Sequence, residues 1–361
     1  MSMALGGCSG ILLNYPYPAR WLRDLGLVFY VLAISSFIFS SIITVLRHTS
    51  FSDLNQQVWK HPSQSLFLSC SVMAFATIIA NTNSYFGSRA VWVCYVLWWI
   101  NLVLTIVYTW LMIFTGYIYH IRREFEKLNA VILLPVVTFV VQATTGTMIV
   151  EHLPHDWQLH MIVVTTLVLG SGELLSYAYT CVYQWRLLTG NLPSREAIIS
   201  SFLPIGPLGQ GSYGIIANAR NLEHYLLAHD SERFAILAMF PVLTYIASFL
   251  ALAMLGYACF WMFMAVVGCL YRRPRIFTMA WWGMSFPTST FATAFYELST
   301  VLDINAFRVV SAIVGTAVVV LTMILMLGTI HYALFDDQVF VYAQQELDSC
   351  FKDNDKDERT D

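Results

Sequence analysis

Charge is what this chain has least of. Only 11% of its 361 residues are Asp, Glu, Lys or Arg, against roughly 25% in soluble domains. That shortage excludes a water-soluble globule, and the want of a basic patch excludes nucleic acid as a partner. All nineteen cations fall in loops or at the ends of apolar runs, and none lies in the middle of one. No lysine follows a glycine, so the Gly-Lys of a nucleotide-binding P-loop is missing. ATP-driven pumping by this chain alone is therefore not expected. Seven cysteines (8, 70, 94, 181, 259, 269 and 350) form no CxxC and lie mostly in apolar runs. They read as small hydrophobes rather than disulfides or metal ligands. His, Asp and Glu do not converge as an enzyme or a metal centre requires, so no catalytic group, metal or cofactor is expected. No basic region opens the chain as in a cleavable signal peptide.

What remains is greasy: 58% apolar residues, 15% aromatic, and a mean hydropathy of +0.63. Measured against the roughly 20 residues that cross a bilayer, the chain holds one short apolar run and nine full ones. The short run is first, at about 2–14. The others are at 25–46, 64–82, 91–118, 131–150, 160–184, 197–217, 236–269, 277–301 and 307–333. The expected fold class is thus an all-α integral membrane protein with ten transmembrane helices. Residues 1–333 form one transporter domain, and 334–361 an acidic, disordered cytoplasmic tail. Thirteen of the nineteen cations lie on the side of the termini, among them Arg272, Arg273 and Arg275 in one short loop. The positive-inside rule therefore puts both termini in the cytoplasm.

The runs alternate in character. Odd ones carry glycine, proline and hydroxyls: Gly6-Gly7-Cys8-Ser9-Gly10 in the first, and Thr138, Gln142, Thr144 and Thr145 in the fifth. Even ones are aliphatic and aromatic, as in Val91-Trp-Val-Cys-Tyr-Val-Leu-Trp-Trp99. Lipid tolerates the second kind and not the first. Five helical hairpins follow, with five inner helices around a central pore and five outer ones. The seventh run holds Pro204-Ile-Gly-Pro-Leu-Gly-Gln-Gly-Ser-Tyr-Gly214. Broken backbone there would need a watery cavity or a protein cover. It reads either as pore wall (Gly206, Gly209, Gln210, Gly211, Ser212) or as a kinked helix in close packing.

Several stretches together resemble a known family. Tyr15-Pro-Tyr-Pro-Ala-Arg-Trp-Leu-Arg23, Tyr95-Val-Leu-Trp-Trp99, Gly206-Pro-Leu-Gly-Gln-Gly-Ser212, Trp282-Gly-Met-Ser-Phe-Pro287 and Ala306-Phe-Arg308 are similar to fungal sulfite efflux pumps. These belong to the tellurite-resistance/dicarboxylate transporters, with fungal malate transporters and plant slow-anion channels. The resemblance runs from the first apolar run through the tenth. It implies ten helices, a central anion pore and a homotrimer in the plasma membrane. Family members have a cytosolic segment and a full first helix before the glycine-rich run. Here Met1 falls inside that helix, so either the start is truncated or the first span is unusually short.

The resemblance also implies a gate: in the family a phenylalanine on the ninth helix blocks the pore, and Phe286, beside Pro287, matches its motif position. An ordinary packing phenylalanine is the plain alternative. Phe286, Thr290, Thr293 and Glu297 share one helical face by spacing. The hydroxyls and amides of Thr138, Gln142, Thr145, Ser212, Ser289, Thr290 and Thr293 would line the pore and donate to a passing oxyanion, or would satisfy carbonyls of their own helices. Neutral donors suit conduction, since an anion must both bind and leave. Glu173, the most embedded carboxyl group, is either a protonated or hydrogen-bonded structural contact or a proton-coupling group. Glu297 is expected near an interface, His152, His155 and His160 at an interface, and His61 as a cap. The partners expected are small inorganic or organic anions and the lipid bilayer. The function expected is sulfite efflux driven by membrane potential, with proton-coupled C4-dicarboxylate (malate) transport as the alternative.

Overall fold

The computed structural model describes residues 1–50, 64–119, 128–190, 192–195, 197–229, 241–274 and 277–335. His61, the start of the run at 236–240 and the tail from 336 onward, with Cys350, lie outside them. Among the described residues every regular element is helical. Each of the ten apolar runs carries one main helix: α1 Ser2–Leu13, α2 Arg20–Ser50, α3 Ser69–Phe86, α4 Val91–Tyr119, α5 Leu134–Val150, α6 His155–Gly190, α7 Ile205–His229, α8 Val242–Arg272, α9 Ser285–Leu302 and α10 Asn305–Phe335.

Seven of these (α2, α3, α4, α5, α6, α8 and α10) are long and apolar enough to cross a bilayer. This is a multi-pass membrane protein. The other three fall short for separate reasons. Helix α1 has 12 residues, about 18 Å of rise at 1.5 Å each, against a hydrocarbon core of about 30 Å. Helix α7 is diluted by glycine, glutamine and asparagine, and α9 by hydroxyls.

Helices α5, α7 and α9 begin alike. A short 3₁₀ turn precedes each, at Ala130–Leu133, Ile198–Phe202 and Met279–Met284. A proline then sits in the first helical turn, as Pro135, Pro207 and Pro287. First-turn N–H groups have no partner within the helix, so proline costs nothing there. This corrects the expectation of broken backbone through Pro204–Gly214: the irregularity ends at Pro204, and from Ile205 the chain is continuous helix despite four glycines. The three 3₁₀ turns pack on one another at one end of the bundle.

Sequential helices pack in pairs, α1 on α2, α3 on α4, α5 on α6, α7 on α8 and α9 on α10. In addition α1 touches α3, α3 touches α5, α5 touches α7, α7 touches α9, and α9 returns to α1. Glycine admits the close approach at several of these contacts. A Cβ on Gly209 would sit 2.8 Å from the α9 backbone at Thr290 and Phe291, and one on Gly7 would sit 2.6 Å from Ser289 Oγ. Large exposed apolar side chains lie almost wholly on even-numbered helices, such as Phe39, Trp110, Leu174, Phe249 and Leu327. Within α1, α5, α7 and α9 there are none. Even helices are not uniformly apolar, however. Their inward faces bury Asn101, Thr105, Thr165, Glu173, Ser248 and Thr322.

Candidate functional site

A cavity of about 630 Å³ lies among α1, α3, α5, α7 and α9. Its wall begins at one level, with Gly6, Thr77, Val141, Gln210 and Phe286 as the first lining residue on each helix. It continues to Asn14, Ser84, His152, Arg220 and Thr300. Arg23, in the first turn of α2, joins the wall at this second end.

Helix α9 supplies a single stripe of seven residues, Phe286, Ser289, Thr290, Thr293, Tyr296, Glu297 and Thr300. Steps of three and four place them on one face. The stripe starts on a buried ring packed near Gly7 and reaches a carboxylate, Glu297, just before its last residue Thr300. Phe286 to Glu297 is eleven residues, about 16 Å along the axis.

Of the residues the sequence singles out, Thr145, Gln210, Phe286, Ser289, Thr290 and Thr293 meet in this cavity. Thr138, Gln142, Gly206, Gly209, Gly211 and Ser212 do not line it. Gln142 faces α4 instead. Its amide donates to the Trp98 carbonyl at 2.8 Å, and its side-chain oxygen accepts from Asn101 at 2.6 Å. Thr138 shares a hydrogen bond with Thr109, also on α4. Ser212 donates to Leu208 O in its own helix and lies 3.2 Å from Ala251 O on α8. The three glycines serve packing: Gly206 lies near Pro287, Gly209 meets α9, and Gly211 meets Glu173.

Hydrogen-bond accounting decides what the wall offers an anion. Each hydroxyl has one proton. Ser289 donates to Phe286 O at 2.6 Å, Thr290 to Pro287 O at 2.8 Å, Thr293 to Ser289 O at 3.0 Å, and Thr145 to Val141 O at 2.9 Å. These protons are committed to helix carbonyls, so the hydroxyls turn lone pairs to the cavity. The donors are elsewhere. Gln210 gives one amide proton to Thr144 Oγ1 and Asn81 gives one to Gly6 O; each amide nitrogen has a second. The guanidinium groups of Arg23 and Arg220 and the phenol hydroxyls of Tyr213 and Tyr296 are further donors on the wall.

Arg220 is the residue the sequence reading missed. It was placed beyond the end of the seventh run, but α7 continues to His229 and turns Arg220 to the cavity. Its Nη1 donates to Glu297 Oε1 at 2.5 Å, and its Nη2 to Glu151 Oε1 at 3.1 Å. Glu297 is 5% exposed, a buried partner rather than an interfacial group. The signal available in sequence was the spacing Gln210–Tyr213–Arg220, which puts all three near one face of α7. His152 lines the cavity wall, whereas His155 stacks on Tyr225 and His160 accepts or donates at Tyr95.

Glu173 lies on α6, away from the cavity. Both its oxygens are buried without a hydrogen-bond partner, and a Cβ on Gly211 would collide with Oε1. The hydrogen bond expected of a structural contact is absent, and what Glu173 meets is the close approach of Gly211.

Comparison with known proteins matches residues 1–330 to the model of one family, described as SLAC1, voltage-dependent anion channel. The chain is similar to the sulfite efflux pump of Arthroderma otae, 28% identical over 347 residues, covering 90% of this chain and 88% of that protein. It is similar to the sulfite efflux pump of Saccharomyces cerevisiae, 27% identical, covering 92% and 85%. A malic acid transport protein of Schizosaccharomyces pombe is 22% identical, covering 93% and 77%. With a continuous family match over all ten helices, the chain belongs to the SLAC1 voltage-dependent anion channel family.

Proposed function

We propose that this protein exports small oxyanions, sulfite first among them, from the cytoplasm across the plasma membrane. The observation that carries the reading is the cavity: one wall stripe from α9, polar residues from three further helices, and two arginines for recognition. Residues 1–333 act as one transporter domain, ten helices crossing as five hairpins, with α1, α3, α5, α7 and α9 inside and the rest toward lipid. Both termini are cytoplasmic, and the tail at 334–361 lies there. The 3₁₀ turns ahead of α5, α7 and α9 then form the cytoplasmic end, with Phe286 as the gate beside them. Thr145, Gln210, Ser289, Thr290 and Thr293 line the path. Thr138, Gln142, Gly206, Gly209, Gly211 and Ser212 support its walls. The apolar even-numbered faces suit lipid and a homotrimer contact. An inside-negative potential contributes roughly 2.3 kcal/mol per charge per 100 mV. That sustains about a 50-fold gradient of a monovalent anion without ATP.

The test is flux from proteoliposomes loaded with sulfite, nitrate, chloride or malate, at two pH values and set potentials. Potential-dependent sulfite efflux exceeding malate is expected; malate flux without sulfite flux would reverse the assignment.

Malate transport is the second reading, favoured by similarity to malic acid transport proteins. Glu173 bears on it, because a buried carboxyl group with no partner is stable when it holds a proton. In that reading Glu173→Gln removes the pH dependence of malate flux. Unaltered pH dependence in the variant would confine Glu173 to packing.

A further inference from the structure

Arg220 poses a physical problem for an anion path. A guanidinium presents a fork of donors that matches two oxygens of an oxyanion, and such pairs are among the strongest hydrogen bonds available. An anion held that way does not leave, and conduction needs release as much as binding. The geometry contains a solution. The two ends of the fork are used differently: Nη1 meets Glu297, whose side chain is 6% exposed, whereas Nη2 meets Glu151, whose side chain is 41% exposed. One partner is fixed within α9. The other stands just past the end of α5, open to the cavity and to water.

We propose that Glu151 is a tethered stand-in for the transported anion, which occupies Arg220 Nη2 between passages and retakes it to expel each anion. This rests on the reading of the cavity as an anion path. Glu297 holds the guanidinium in place through Nη1 and is not exchanged. An arriving oxyanion displaces the Glu151 carboxylate from Nη2, and the carboxylate moves toward solvent. Its return competes the anion off. Chemically the exchange is one oxygen acceptor for another on the same donor, with no proton moved. A half-exposed ion pair is weak enough for the exchange to lie near balance, which a buried pair is not. The local charge agrees: Arg220 with both carboxylates is a net −1, so the resting site does not store an anion between passages. Arg23, on the same stretch of wall, keeps the approach attractive.

The full chain, its Glu151→Gln variant and its Glu151→Asp variant are reconstituted, and sulfite efflux is measured against sulfite concentration. Glu151→Gln is expected to lower the half-saturating concentration roughly fivefold, the equivalent of one exposed ion pair, and to lower the maximal rate as release slows. Glu151→Asp, with a shorter arm, is expected to fall between parent and Gln variant. A merely structural ion pair would reduce the number of working molecules, giving a lower maximal rate at unchanged half-saturation. That outcome, or a raised half-saturation, overturns the inference. Should Glu151→Gln fail to fold, Glu151→Asp decides alone: half-saturation equal to the parent's rejects the exchange. A parent chain with no sulfite flux is a different failure, since it strikes the anion path itself and takes this inference with it.

Discussion

The two ends of the cavity are built from opposite chemistry on the same helix. At the start of α9, Phe286 is buried against the glycine-rich α1, with the 3₁₀ turns packed beyond it. Eleven residues on, Glu297 is equally buried but holds an arginine. One end carries an apolar ring; the other is crossed by an arginine paired to two carboxylates. An apolar closure opens only by moving. A charged one can stay in place and exchange partners. In the proposed reading, gating belongs to the Phe286 end and selection of anions to the Arg220 end.

Four substitutions break or sharpen that contrast. The largest effect is expected from Phe286→Ala, which empties the apolar end. Anion current in planar bilayers should rise roughly tenfold or more, as when a dewetted constriction fills. Equal currents for variant and parent would remove the gate. Next is Arg220→Gln, which leaves Glu297 buried without its cation. Thermal unfolding should report a loss of about 3 kcal/mol, and the double variant Arg220→Gln/Glu297→Gln should regain much of it. An unshifted melting temperature in the single variant would show that the pair is not coupled to folding. Third, Gly209→Val places a side chain into the α9 backbone, and overpacking of this kind costs about 1–3 kcal/mol; stability equal to the parent would mean that α7 and α9 can separate freely. The smallest effect is expected from Thr293→Val, midway between the ends. Its hydroxyl proton is already given to Ser289 O, so sulfite flux should change by less than about twofold. A large loss there would make the middle of the stripe a binding site.

The contrast between the ends was legible only in part before folding. The α9 stripe was legible: spacings of four, three and four from Phe286 to Glu297 hold in any α-helix, so a shared face follows without knowledge of neighbours. Arg220 was not, because the apolar run ends near Ala217 and only the course of α7 shows that helix outlasts apolarity. Gln142 and Thr138 were assigned to the path on polarity alone. In α5 nearly every side chain is buried, so polarity does not tell which face meets the cavity and which meets Asn101 and Thr109.

The sequence by itself determined that this chain lives in lipid, how its apolar runs are ordered, and which family it resembles. Those follow from run length, proline position and short motifs, all local quantities. Only the tertiary structure decided which polar groups meet. Glu151, Arg220 and Glu297 lie 69 and 77 residues apart in the chain. Their meeting depends on how α5, α7 and α9 are rotated about their axes. That rotation is set by glycines admitting a neighbour's backbone and by hydroxyl and amide contacts between helices, which no single helix encodes alone.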